Sequence, residues 1–146
     1  MRTSMRLSIL PAVLTAMSMP AQAQEAPQVN GLRAQIRFEH ALAGYLSEIN
    51  GRYKLRVTEL VLAPGGTIGE HHHVGPGIRL VTDGELTYIL PDTTIVYGPG
   101  DYYFEAGDVT HRAENRTDKP VTHLLFEILP VDLAGPSLIR PRPAAP

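Results

Sequence analysis

The sequence predicts a single all-β domain, a barrel or sandwich, and three observations carry that expectation. The chain has 146 residues, room for one domain. From residue 50 onward, short runs rich in Val, Ile, Leu and Tyr are separated by turn signals at the ~8–12-residue spacing of all-β folds. Only Gly31 to Ile49 carries a loose helical spacing, through Leu32, Ile36, Leu42, Tyr45 and Ile49. An extended arm or an edge strand is the alternative reading of that segment.

The elements follow in order. Arg2 and Arg6 form a positive n-region, Leu7 to Met19 a short apolar core, and Ala21-Gln22-Ala23 a small-x-small cleavage pattern. Residues 1–23 therefore read as a signal peptide, too short in its apolar part for the ~20 residues that span a bilayer. The expected location is periplasmic or secreted, with no membrane association after cleavage. Residues 24–52 read as an N-terminal arm or edge segment. Asn50-Gly51 is a hairpin signal leading into a strand from Tyr53 to Leu62, which Pro64-Gly65-Gly66 should end. Ile78 to Thr82 and Glu85 to Leu90 flank Asp83-Gly84, a second expected hairpin. Pro91-Asp92 and Gly98-Pro99-Gly100-Asp101 bracket a strand at Ile95 to Tyr97. Strands at Tyr102 to Glu105, Thr110 to Glu114 and Val121 to Leu129 complete a barrel over residues 53–130. Residues 131–146 form a proline-rich tail, expected to lie extended on the surface or to be disordered.

Composition narrows the function. Cleavage after Ala23 leaves 11 Lys and Arg against 15 Asp and Glu, a net charge of −4. No basic cluster remains to bind nucleic acid or anionic lipid. The sequence has no cysteine, which excludes disulfides and thiolate ligands. It also lacks a nucleophile elbow, a P-loop and a dinucleotide fingerprint.

The chemistry concentrates in Glu70-His71-His72-His73. On a strand, His71 and His73 share one face while His72 and Glu70 point away. Two imidazoles at i and i+2 can lean toward one ion, and His111, after a Gly-rich bend, is the candidate third ligand. The competing reading is a solvated His tract that chelates metal adventitiously. On Val121 to Leu129, Thr122, Leu124, Phe126 and Ile128 form the more apolar set and are expected in the core. That parity makes His123 peripheral. Arg79 is expected at the surface, with a carboxylate-binding role if it faces inward. Tyr88, Tyr97, Tyr102 and Tyr103 are expected to fill the core or line the barrel, Asn115 to form a turn, and His40 and Glu85 to lie at the surface.

Gly65-x5-His71-x-His73-x10-Gly84 resembles the first motif of the cupin superfamily, and Gly100-x10-His111-x3-Asn115 resembles the second. The resemblance covers Tyr53 to Leu129. It implies a double-stranded β-helix barrel with His71, His73 and His111 pointing into the lumen as metal ligands, and commonly a homodimer paired through barrel-edge strands. The family's usual glutamate ligand falls at Gly77 here, so a three-histidine variant is expected. Three neutral imidazoles leave the charge of a divalent ion uncompensated, which favours an anionic small-molecule partner. They suit iron, nickel, copper or zinc better than magnesium or calcium. Three-histidine cupins include non-haem iron dioxygenases, so iron and dioxygenase-like chemistry are the leading expectation. A metal-dependent lyase or isomerase, or a non-catalytic ligand-binding barrel, are the alternatives.

Overall fold

The computed structural model describes residues 26–141; the signal peptide expected over 1–23 lies outside them. The described residues form nine strands and no helix: β1 (Val29–Ala41), β2 (Tyr53–His73), β3 (Gly77–Asp83), β4 (Leu86–Ile89), β5 (Thr94–Tyr97), β6 (Tyr102–Glu105), β7 (His111–Glu114), β8 (Val121–Pro130) and β9 (Leu138–Ile139). The helical spacing of Gly31 to Ile49 is not realised. Most of that segment is β1, paired antiparallel along β2 from Ala41↔Lys54 to Val29↔Ile68. A free edge of so long a strand demands a partner, and that demand outweighs five loosely spaced apolar residues.

Pro64-Gly65-Gly66 bends β2 instead of ending it. Before the bend β2 pairs with β8, and after it with β7. Gly66 is obligatory there, since a Cβ would sit 2.8 Å from the Ala63 carbonyl oxygen. Asp83-Gly84 is likewise no hairpin. β3 pairs with β6 and β8, whereas β4 pairs with β5 and β7, so this turn crosses between two half-sheets. Its glycine has φ +75° and packs against Pro120. The strand path runs β5-β4-β7-β2-β8-β3-β6. Its two ends curl together where the Tyr88 and Tyr97 rings stand 5.1 and 4.0 Å from that of Tyr103, giving a nearly closed barrel.

The lumen has an apolar region and a polar one. Leu62, Ile68, Val81, Leu86, Tyr88, Tyr103, Ala113 and Val121 form the apolar cluster; each fully buried aliphatic side chain contributes about 1.5–3 kcal/mol. The polar region holds the histidines and a set of charges unusual for a barrel interior.

The expected parity of β8 is inverted. Val121, His123, Leu125, Glu127 and Leu129 face inward and are buried, while Leu124, Phe126 and Ile128 face out. The apolar count misled because this barrel fills part of its interior with polar groups and covers its outer face with apolar ones.

The C-terminal segment is anchored. Lys54 Nζ donates to the Leu133 carbonyl at 2.7 Å, and Arg56 donates to Gly135 and Leu133 at 2.6 and 3.1 Å. β9 then pairs with His72 and His73 of β2. Buried cations thus satisfy carbonyls that a loose tail would leave to water.

Candidate metal centre

His71 and His73 face inward from β2, with 0% and 4% exposure, and His72 faces away. His111 on β7 is the direct cross-strand partner of His71. One ligand atom from each of the three lies within 4.8 Å of the others. The sequence-predicted trio is therefore brought together, two positions by strand parity and the third by register.

The outer nitrogens fix the tautomers. Nδ1 of His71 lies 2.8 Å from the Gly69 carbonyl and Nδ1 of His111 lies 3.0 Å from that of Val109. A carbonyl only accepts, so each Nδ1 carries the proton and each Nε2 presents a lone pair. Nδ1 of His73 lies 3.1 Å from Glu127 Oε1, itself accepting from the Ser137 hydroxyl, which makes a carboxylate–histidine arrangement of the kind that orients metal ligands. Nε2 of His71 and of His111 are buried with no hydrogen-bond partner. Buried acceptors left bare cost ~1–3 kcal/mol each, and a divalent ion is what such a set of imidazoles fits. Burial and the neighbouring His111 push the pKa of His71 down to about 3, keeping it in the ligating form.

Beside this trio stands a second polar cluster that the sequence reading placed wrongly. Arg79 is not a surface residue; it is 3% exposed, with its guanidinium in the lumen. Its Nε donates to Glu105 Oε2 at 2.6 Å, Nη1 to His123 Nε2 at 2.7 Å and Nη2 to His73 Nε2 at 3.2 Å. His123 is likewise interior and fully buried, not peripheral. Burial, and then the charge of Arg79, push its pKa down to about 3. Since guanidinium is always a donor, His123 Nε2 accepts and Nδ1 carries the proton, a buried donor without a partner. The Tyr103 hydroxyl is a second one. Tyr103 is the cross-strand partner of Arg79, so its side chain enters the lumen on the same face. Burial raises the carboxyl of Glu105, but the Arg79 charge overrides it and holds the group ionised well below the usual carboxylate range.

Glu105 and Glu127 were not singled out from the sequence. Both are cross-strand partners of Gly77, the position where the resemblance places the family's glutamate. Parity groups His123 with Glu127 on one face of β8 and Tyr103 with Glu105 on one face of β6, but it does not say which face is inside, so the sequence carried no signal that singled them out. His40, Glu70 and Glu85 are exposed, as expected. Tyr88 and Tyr103 are buried in the core, but Tyr102, expected with them, points outward and is exposed, because it alternates with Tyr103 along β6. Asn115 closes its turn by donating from Nδ2 to Leu62, Ala63 and Lys119 carbonyls.

A bent, nearly closed barrel with three lumen histidines on its second and seventh strands defines the cupin class, and comparison with known proteins gives the same family. Residues 58–127 match the family model described as Cupin domain (Cupin_2), and the chain belongs to the cupin superfamily. No curated protein matches it significantly. Among solved structures, it is similar to a cupin domain from Bordetella pertussis Tohama I, with 22% identity, TM-score 0.51, and 69% of this chain and 96% of that chain covered. It is also similar to the polyketide cyclase RemF from Streptomyces resistomycificus, with 16% identity, TM-score 0.58, and 90% and 85% covered. A third is a cupin-like protein from Thermotoga maritima, with 18% identity, TM-score 0.54, and 75% and 80% covered. At these identities the likeness is one of fold.

Proposed function

We propose that this cupin is an exported, metal-dependent enzyme acting on a small anionic molecule, with iron-based, dioxygenase-like oxidation as the leading chemistry. One observation supports it above the rest: two buried imidazoles, with Nδ1 pinned by backbone carbonyls, turn bare Nε2 atoms toward a common point. His71, His73 and His111 would hold the ion. A divalent metal would supply Lewis acidity and, if iron or copper, access to oxygen chemistry. The chain's own contribution is to bind and orient. Arg79, the Tyr103 hydroxyl and the His123 Nδ1 proton present positive charge and donors that an anionic oxygen would satisfy. Export rests on the charge, apolar run and cleavage pattern of residues 1–23.

The test is metal analysis of the untagged protein from a periplasmic fraction, followed by oxygen-uptake assays with small carboxylates. The expected result is about one iron, nickel, copper or zinc per chain, absent from the His71→Ala/His111→Ala variant. Metal retained in that variant would overturn the site. Loaded protein that is thermally stabilised by a carboxylate without converting it would make it a binding barrel instead.

We further propose that a second copy of the chain covers the outer face of the sheet. Phe104, Ile78, Phe126, Val57 and Phe38 form one continuous cross-strand row over five strands, and Tyr102, Leu80 and Leu124 form the next. Phe104, Tyr102, Ile78 and Phe38 are each about half exposed or more. Strands ~4.8 Å apart make this row roughly 25 Å wide, a contiguous exposed apolar face of the kind that marks an interaction surface. Light scattering should give a dimer, and a monomer at micromolar concentration would refute the pairing.

A further inference from the structure

The carboxylate that the first motif lacks is present in the lumen, carried by a different strand. Gly77 cannot hold one, because a Cβ there would lie 2.9 Å from the Phe126 carbonyl oxygen and 3.2 Å from Glu127 Cγ. Directly across the ladder, on either side, stand Glu105 and Glu127. Cross-strand partners share a face, so both carboxylates enter the lumen in the same row as Gly77. Their environments separate their roles. Glu127 takes the Nδ1 side of His73 and the Ser137 hydroxyl, behind the imidazole. Glu105 takes the Nε2 side, in front.

We propose that Glu105 is the fourth ligand of the metal held by His71, His73 and His111, bound through Oε1 and oriented by Arg79 through Oε2. The inference rests on the metal-binding reading above. Glu105 Oε1 lies 3.1 Å from His111 Nε2, and Oε2 lies 3.3 Å from His73 Nε2. Two ligands bonded at ~2.1 Å to one ion stand ~3.0 Å apart at a right angle and ~3.4 Å apart at a tetrahedral one. Oε1 is thus at ligand–ligand separation from the His111 imidazole, and Oε2, the oxygen that Arg79 holds, stands at a similar separation from that of His73.

The chemistry of the facing atoms gives the second argument. His111 Nδ1 has its proton directed at Val109, so Nε2 faces Glu105 Oε1 with a lone pair. Two electron-rich atoms 3.1 Å apart in a buried site repel, and the contact is not aligned as a hydrogen bond: His111 Nε2 has no partner. A cation bonded to both atoms removes the repulsion. Arg79 meets the other oxygen at 2.6 Å, an outer contact of the kind that fixes a ligating carboxylate. The charge balance also changes. With Glu105 the ligand set carries one negative charge, so the site resembles the family's three-histidine-plus-carboxylate centre with the carboxylate moved to the neighbouring strand.

The experiment is Zn(II) titration by calorimetry with chelator competition, beside visible spectra of Co(II)-loaded protein, for wild type and Glu105→Gln. Because that variant leaves Arg79 buried without its counter-ion, the doubly neutral Arg79→Gln/Glu105→Gln is measured with it. Outer contacts of a metal site are worth ~10–100-fold in affinity, so loss of a direct ligand should raise Kd at least about 100-fold and change the Co(II) spectrum in whichever variant unfolds cooperatively. A wild type that binds Zn(II), with a folded variant within threefold of its Kd and an unchanged Co(II) spectrum, overturns the role of Glu105 and leaves the histidine site standing. A wild type that binds neither ion overturns both.

Discussion

The two faces of the sheet formed by β6, β3, β8 and β2 are less sharply divided by polarity than in most sheets. Beside Leu60, Leu62, Val81, Leu125 and Leu129, the inner face carries Arg79, Glu105, His123, Glu127, Lys54 and Arg56, all buried. The outer face carries Tyr102, Phe104, Ile78 and Ile128, all exposed. The inner charges persist because each has a partner. Arg79 pairs with Glu105, Glu127 with Ser137 and His73, and Lys54 and Arg56 with tail carbonyls and Glu39. Burying an ionised group alone would cost several kcal/mol. The outer apolar groups persist at little cost to the monomer's stability, because changes at exposed positions usually alter it by less than about 0.5 kcal/mol. Stability is therefore vulnerable on the polar side and tolerant on the apolar one.

The sharpest way to break that contrast is Arg79→Met. It leaves the Glu105 carboxylate buried without its counter-charge and should destabilise the metal-free protein by about 3–5 kcal/mol, read from urea midpoints at constant slope. Arg79→Met/Glu105→Gln should regain most of that loss. A single variant as stable as wild type would mean that the pair is not closed in solution.

Acid probes the same face through a neutral group. His123 is held uncharged by burial and by Arg79, with its pKa pushed down to about 3, against an ordinary value of ~6.5. Between those values the unfolded chain takes up a proton that the native chain refuses, so this group's stability contribution is present above ~6.5 and is lost as pH falls. The slope is up to about 1.4 kcal/mol per pH unit. His123→Gln should flatten the decline between pH 6.5 and 5 by a measurable part of that slope. Curves that superimpose would show that His123 titrates normally and is not enclosed.

These contrasts also mark what the sequence made legible. His71 and His73 sharing a face follows from strand period alone, and motif spacing brought in His111. The strands β3 to β8 were legible because turn residues punctuate them, whereas the turn residues at Pro64-Gly65-Gly66 cut β2 short of its true end at His73. The orientation of β3 and β8 was not, since parity defines two faces without saying which is inside. Hydrophobicity, the usual arbiter, points the wrong way when the lumen is charged and the outer face is apolar. Asp83-Gly84 misled for a related reason. A tight turn between two strands does not specify that they pair, and here they join opposite half-sheets. The anchoring of the tail depends on Lys54 and Arg56 meeting carbonyls roughly 80 residues away, a contact that no local pattern encodes.

That anchor gives an intermediate effect. Arg56→Ala removes charged hydrogen bonds to Gly135 and Leu133 and the contact with Glu39. Hydrogen bonds to charged groups are worth about 1.5–3 kcal/mol, so a loss of about 2 kcal/mol is expected. Amide exchange should accelerate first at Val74, whose N–H donates to the Ser137 carbonyl. Unchanged exchange there would mean that the tail is held by β9 pairing alone.

The smallest stability effect belongs to the outer face, and it discriminates best between the two faces. Phe104→Ser and Ile78→Thr replace exposed apolar groups on paired strands with residues that leave the ladder intact. In the monomer each should fall within about 0.5 kcal/mol of wild type. The same pair together should shift the dimer toward monomer, because it removes two of the most exposed apolar side chains, adjacent at one end of the row. Measured by light scattering across a dilution series, this separates two reasons for an apolar outer face. If the dimer weakens while dilute-protein stability holds, the outer residues serve association and the inner charges serve the fold and the site. If the stability of dilute protein falls by more than ~1 kcal/mol, the outer face carries folding energy of its own, and the contrast between the two faces is one of chemistry only.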